Sequence, residues 1–151
     1  MGTGSPGNFN ILIIENDPAA ARLTKEAFKE AGFTGGVVSV PNGAVALAYL
    51  RREGSHSNQP EPALIFLDLH LPTKSGLQVL AEIKQNPKLR VTPVVVVSGS
   101  ANPSEIREAY ELHANCYVRK PDDLDQFIRF ARSCYEFWGG LVVFADGSNA
   151  R

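Results

Sequence analysis

The run Ala63-Leu64-Ile65-Phe66-Leu67-Asp68 (ALIFLD, residues 63–68) is apolar for five residues and stops abruptly in an acid. A strand with one wet face alternates apolar and polar residues. A strand covered on both faces reads instead as a continuous apolar run, the mark of a parallel sheet between helices. PVVVVS (93–98) has the same character, and FNILII (9–14) is a third short run rich in β-branched residues. Helical patterns fill the intervals. Asp17 as N-cap and Pro18 in the first turn predict a helix over 18–31, ended by Gly32. Residues 37–40 form a short strand, Asn42 caps a helix through about 52, and GSHSNQPEP (54–62) is a surface loop by composition. Beyond Asp68 a loop carries Pro72 and Gly76, and Leu77, Leu80, Ala81 and Lys84 then keep helical spacing. A short helix over 103–112, a fifth strand over 115–119 and a last helix over 124–137 follow. The last has an apolar stripe of Leu124, Phe127, Ile128, Ala131 and Tyr135.

Five strands alternating with helices imply an α/β fold with a parallel sheet, because parallel neighbours need crossover connections. With right-handed crossovers, the common five-stranded solution is the flavodoxin-like order 2-1-3-4-5 with helices on both faces. Sites in such sheets lie beyond the carboxyl ends of the strands, near the point where strand order reverses. The residues there are Glu15, Asn16 and Asp17 after the first strand, Asp68 after the third, Ser98 ending the fourth, and Lys120 and Pro121 after the fifth.

Acids from two adjacent strands repel unless a cation joins them, and Mg²⁺ suits one or two carboxylates plus a phosphate. A carboxylate attacks an anionic phosphoryl group only when the developing charge is neutralised. Mg²⁺ and Lys120 would supply that neutralisation, Ser98 a hydroxyl donor, and Gly99 room for a phosphoryl donor to approach. The rim therefore reads as a place to move a phosphoryl group onto Asp68.

ILIIENDP (11–18), LDLHLPTKSG (67–76), VVVVSGS (94–100) and CYVRKP (116–121) together resemble the receiver domain of two-component response regulators. The resemblance covers about residues 9–137. It implies that Asp68 accepts phosphate from a sensor histidine kinase, that Glu15 and its neighbour Asn16 help Asp68 hold Mg²⁺, and that His70 adds its backbone carbonyl to the metal. It further implies that Lys120 contacts the phosphoryl group and that Ser98 and Tyr117 form a switch pair. EIKQNPKLRVTPVVVVS (82–98), DLDQF at the start of the last helix and the Phe137-Trp138 pair are similar to single-domain regulators that partner bacterial phytochromes. The family usually has two adjacent acids after the first strand, and here Asn16 takes the second place. Asp17 suits an N-cap whose side chain faces its own helix. A working but weaker Mg²⁺ site is expected.

Composition bounds the rest. The chain has 151 residues, 15 Lys and Arg against 16 Asp and Glu, and 44% hydrophobic residues, which suits one globular domain and gives no general pull on nucleic acid or anionic lipid. No apolar run approaches the roughly 20 residues of a membrane helix, so a soluble cytoplasmic protein is expected. Cys116 and Cys134 match no metal-ligand spacing and read as buried free thiols; His56, His70 and His113 share none either and read as solvated. Residues 1–8 read as a disordered tail. Gly2, Gly4 and Gly7 spell a dinucleotide fingerprint there, but no strand precedes it. Residues 138–151 form an extension in which LVVF (141–144) is too apolar for a free tail. It packs on the domain or contacts another chain, and with Phe137 and Trp138 beside it a homodimer is favoured. No output module fits after the last helix. Two alternatives stand beside the switch: a receiver-like module that is never phosphorylated, suggested by Asn16, and an aspartyl-nucleophile phosphatase, for which His70 is the one candidate acid and no cap insertion is present.

Overall fold

A computed structural model describes residues 6–149. Five parallel strands, β1 (Ile11–Ile14), β2 (Val37–Val40), β3 (Leu64–Leu67), β4 (Val94–Ser98) and β5 (Cys116–Arg119), lie in the order β2-β1-β3-β4-β5. The helices are α1 (Pro18–Glu30), α2 (Gly43–Leu50), α3 (Gly76–Gln85), α4 (Pro103–Glu111) and α5 (Leu124–Gly140), with a short 3-10 turn over Gly54–His56 inside the polar loop.

The strands split their side chains between two cores, as alternate residues of a strand must. Leu12, Ile14, Ile65, Leu67, Val94 and Val96 face α2, α3 and α4. Ile11, Ile13, Leu64, Phe66 and Val95 face α1 and α5, where Phe28, Phe33, Phe66, Phe130 and Tyr135 form a chain of ring contacts. Every residue of β1 and β3 is buried, which is why ALIFLD shows no alternation.

Helix starts follow the capping chemistry. Asp17 accepts from Ala19 N, Asn42 from Val45 N, Asn102 from Ser104 N and Asp123 from Gln126 N. Ser75 and Gln78 close a capping box on α3. Two faces differ from the sequence reading. On α3 the fully buried side chains are Val79, Leu80 and Ile83; Leu77 packs on the same core but is only partly buried, as are Ala81 and Lys84. On α5, Phe127, Ala131 and Tyr135 are buried, Ile128 is half-buried and Leu124 is exposed.

Both ends of the chain depart from expectation. Helix α5 runs three residues past the expected end at 137, through Gly139 and Gly140. A side chain at Gly139 would collide with the carbonyl of Gly7 and with Pro6, so this glycine allows the incoming chain to cross the helix closely. Gly7 N donates to Gly139 O at 2.9 Å and the Tyr135 hydroxyl to Pro6 O at 2.9 Å. Asn8 exchanges two hydrogen bonds with Thr34. Residues 6–8 are therefore pinned to the domain and are not part of a free tail. Gly2 and Gly4 lie outside the described residues, and no helix opens at Gly7.

Past α5 the chain folds back. Phe144 is buried against Phe9 and Trp138, and the Asn149 side-chain amide donates to Trp138 O and Val142 O. Leu141 and Val143 remain 75% and 56% exposed. LVVF thus packs on its own domain through Phe144 and presents two apolar side chains outward. Cys116 and Cys134 are both free and only partly buried, not fully enclosed as expected; burial still pushes both thiols up, Cys134 to about 12. His113 is exposed and His56 half-buried beside Tyr49.

Candidate phosphoryl-transfer site

Strand register assembles the site. Ile14 pairs with Leu67, so the residues that follow, Glu15 and Asp68, emerge side by side where the sheet order reverses. Backbone bonds fix the three strand ends: Glu15 N to Val40 O at 3.0 Å, Asp68 N to Ile14 O at 3.0 Å and Lys120 N to Ser98 O at 2.8 Å. Gly76 is required just behind, because a Cβ there would overlap the Asp68 carbonyl oxygen and Leu69 Cα.

Glu15 and Asp68 are each 8% exposed, and Lys120 joins them: Nζ lies 2.6 Å from Glu15 Oε1 and 3.5 Å from Asp68 Oδ2. The remaining carboxylate oxygens take backbone amides, Glu15 Oε2 from Asp17 N at 3.1 Å and Asp68 Oδ1 from His70 N at 3.1 Å. Burial pushes the Glu15 carboxyl above its ordinary range, and Lys120 and the Asp17 amide only partly offset this. Burial alone would lower Lys120, but Glu15 and then Asp68 outweigh it and hold the ammonium above its usual value. Two buried acids sharing one monovalent cation keep a net negative charge.

That charge bears on a divalent ion. Hard oxygen donors from two carboxylates and a nearby carbonyl suit Mg²⁺ or a similar ion. Among the described residues no cluster of three or more His, Cys, Asp or Glu side chains is placed to hold a metal, so any ion here relies on two acids and neutral oxygens. Asn16 is exposed beside them, and Asp17 is turned to its own helix as the cap.

The other candidates lie around this centre. Ser98 is fully buried and its Oγ accepts from Ser100 N at 3.2 Å. Tyr117 is half-buried, and its hydroxyl donates to Ser100 O at 2.9 Å. The His70 imidazole is 61% exposed and stands 3.8 Å from Glu105. Sequence reasoning did not single out Ser100 or Glu105, which join these side chains. An acid in the first turn of a helix reads only as a favourable charge, and the one available signal was the S-x-S spacing after β4.

The description "response regulator receiver domain" fits residues 11–132 of the chain. The chain belongs to the response-regulator receiver family. Response regulator Rcp1 of Synechocystis is 41% identical over 128 residues, 85% of this chain and 87% of its own length. The Mn(2+)-bound form of Rcp1 superposes with a TM-score of 0.82 at 39% identity, covering 90% of this chain and 98% of that one. The phosphorylated cyanobacterial phytochrome response regulator RcpA gives 0.86 at 41%, covering 92% and 99%. The bacteriophytochrome response regulator AtBRR gives 0.72 at 34%, covering 91% and 99%. As a response regulator the receiver is a signalling protein rather than an enzyme of the usual kind, and among the described residues no helix is long and apolar enough to cross a membrane.

Proposed function

We propose that this receiver is a phosphorylation switch with Asp68 as the phosphoacceptor, charged by a sensor histidine kinase of the phytochrome type. The observation that carries the reading is the Glu15–Lys120–Asp68 bridge at the sheet's reversal point. The likeness to phytochrome regulators supports the kinase class. In the transfer, Asp68 Oδ forms a bond to phosphorus as the phosphorus–nitrogen bond of a kinase phosphohistidine breaks, and the imidazole nitrogen takes up a proton. Lys120 is placed to follow the charge from the carboxylate to a phosphoryl oxygen, and the His70 amide keeps the other carboxylate oxygen oriented.

Asp68, Glu15, the His70 carbonyl and Asn16 would hold Mg²⁺, which when bound neutralises equatorial oxygens. Asn16 offers an oxygen without charge, so binding is weaker than an acid there would give. Incubation with acetyl phosphate and Mg²⁺, followed by intact mass, tests the assignment. One phosphoryl group is gained and is lost in Asp68→Asn; a chain that gains none is the silent module, the reading Asn16 favours. Titrating Mg²⁺ in the same assay, Asn16→Asp lowers the half-saturating concentration, and an unaltered requirement refutes the weakened site.

The same reading includes a homodimer through Phe137, Leu141 and Val143, three apolar side chains that remain exposed at the end of α5. Light scattering on a chain ending after Phe137 gives half the mass of the full chain. An unchanged mass refutes it.

A further inference from the structure

Among the described residues, the buried polar or charged side chains other than tyrosine are Glu15, Thr24, Asp68 and Ser98. Glu15, Asp68 and Ser98 belong to the phosphoryl-transfer site, whereas Thr24 has no part in it so far. Thr24 lies on the inner face of α1 among Ala20, Ala21, Ala27 and Phe28. A buried hydroxyl costs free energy unless it is bonded. This one donates to Ala20 O at 2.9 Å, one turn back in its own helix. Its proton is thereby used, and lone pairs alone remain to serve the surroundings. Thr24 borders a cavity of about 20 Å³ that reaches the strand ends carrying Glu15 and Asp68. Ile13, Phe66, Val97 and Phe130 also line it, which puts it on the α1 and α5 side of the sheet, beneath the rim. The polar side chains among its lining residues are those of Glu15, Thr24 and Asp68.

A cavity needs roughly 10–15 Å³ to admit one water, and the water needs two or more polar partners. This cavity has the volume for one water, and its partners share one property. Two carboxylates and a hydroxyl whose proton is engaged can all accept and none can donate, so they cannot bond one another. A water brings the two protons they lack. We infer that one water is held in this cavity, donating to Thr24 Oγ1 and to a carboxylate oxygen of the Glu15 and Asp68 pair, and that Thr24 is through it a positioning residue for phosphoryl transfer. This rests on the reading of Asp68 as the phosphoacceptor. Lys120 and the Asp17 and His70 amides already hold the pair, but Asp68 Oδ2 has only Lys120 at 3.5 Å. The water adds a contact from the core side and leaves the outer side open to the metal and to phosphorus. Without that contact a carboxylate turns more freely, and the aligned arrangement that transfer needs is populated less of the time.

Three substitutions separate the hydroxyl from the volume. Thr24→Ser keeps the hydroxyl. Thr24→Val keeps the volume and puts a methyl group in its place. Thr24→Ala removes both and leaves room for a second water where the hydroxyl was. Crystals of the wild type and of Thr24→Val are compared, and initial rates of phosphoryl uptake are measured with acetyl phosphate and Mg²⁺. The wild type shows one water within hydrogen-bond distance of Thr24 Oγ1 and of a carboxylate oxygen of the pair, and Thr24→Val shows none. Thr24→Val takes up the phosphoryl group about three- to tenfold more slowly, the scale of one hydrogen bond to a charged group. Thr24→Ser matches wild type, and Thr24→Ala lies between. A role in packing alone predicts the reverse order, with Thr24→Ala most impaired and Thr24→Val least, because lost volume then decides. That reverse order, a Thr24→Val rate equal to wild type, or a dry cavity in wild-type crystals overturns the inference. The wild-type crystals decide the water even if a variant folds poorly. A wild-type chain that takes up no phosphoryl group refutes the phosphoacceptor instead, and the water then stands or falls on those crystals.

Discussion

Replacing Lys120 by methionine keeps most of the aliphatic stem and removes the charge between Glu15 and Asp68. The two ion-pair distances place those carboxylates no more than about 6 Å apart, where like charges at an effective dielectric of about 20 repel by roughly 3 kcal/mol. The folded variant has one escape, to protonate a carboxyl. From the ordinary value of 4.5 that costs about 3.4 kcal/mol at pH 7, and about 1.4 kcal/mol at pH 5.5. The smaller of the two penalties sets the loss, so Lys120→Met is less stable than wild type by about 2–3 kcal/mol at pH 7.5 and by about 1 kcal/mol at pH 5.5. The sign follows from proton counting. Above pH 4.5, and as long as protonation is the smaller penalty, the folded variant holds a proton that the unfolded chain has released, so over that range its stability falls as pH rises. Burial raises Glu15 in the same sense in wild type, but Lys120 opposes it and the slope is shallower. Urea unfolding followed by Trp138 fluorescence in chelator at pH 5.5, 6.5 and 7.5 measures the gap, and saturating Mg²⁺ narrows it at pH 7.5. A gap that does not change across this range refutes the electrostatic account.

Gly76→Ala drives a Cβ into the backbone of Asp68 and Leu69, which shift only with the loop. It costs about 1–3 kcal/mol by calorimetry and slows phosphoryl uptake; wild-type stability with a wild-type rate contradicts this. Lys84→Met leaves the Arg90 and Thr92 carbonyls and the Asn115 side-chain oxygen without their shared ammonium. Stability falls by about 2 kcal/mol while uptake is unchanged, and a chain as stable as wild type in urea counts against a structural role for this ammonium. The Cys134 thiol, held at about 12, is alkylated by iodoacetamide at pH 8 about a thousandfold more slowly than a thiol of ordinary acidity. Peptide-level mass spectrometry that finds Cys134 reacting like a free cysteine refutes its shielding.

The sheet was legible because burial on two faces writes itself as ALIFLD and PVVVVS, and because Asp17, Asn42 and Pro103 carry capping and first-turn chemistry that is local in sequence. The rim was legible for the same reason, since a parallel sheet brings every strand end to one edge whatever the loops do. Contacts between side chains on different loops leave no such trace. Nothing in the spacing of Ser100, Glu105 and His70 says that they meet, and Lys84 kept the helical period of α3 while serving as a polar plug for the turn before β4. The last helix was expected to end at 137, and nothing local in the sequence says that Gly139 lies inside it to let the segment at Pro6 and Gly7 cross.

The clasp between Gly7 and Gly139 sets where the protein can be held. Both described ends leave from the edge of the sheet opposite the strand ends that carry Asp68. A tag or surface linkage added at either end therefore leaves the acidic rim facing solution, and an immobilised chain remains open to a docking kinase. A fusion that replaces Pro6 or Gly7 with bulky residues, by contrast, loosens the last helix at its foot.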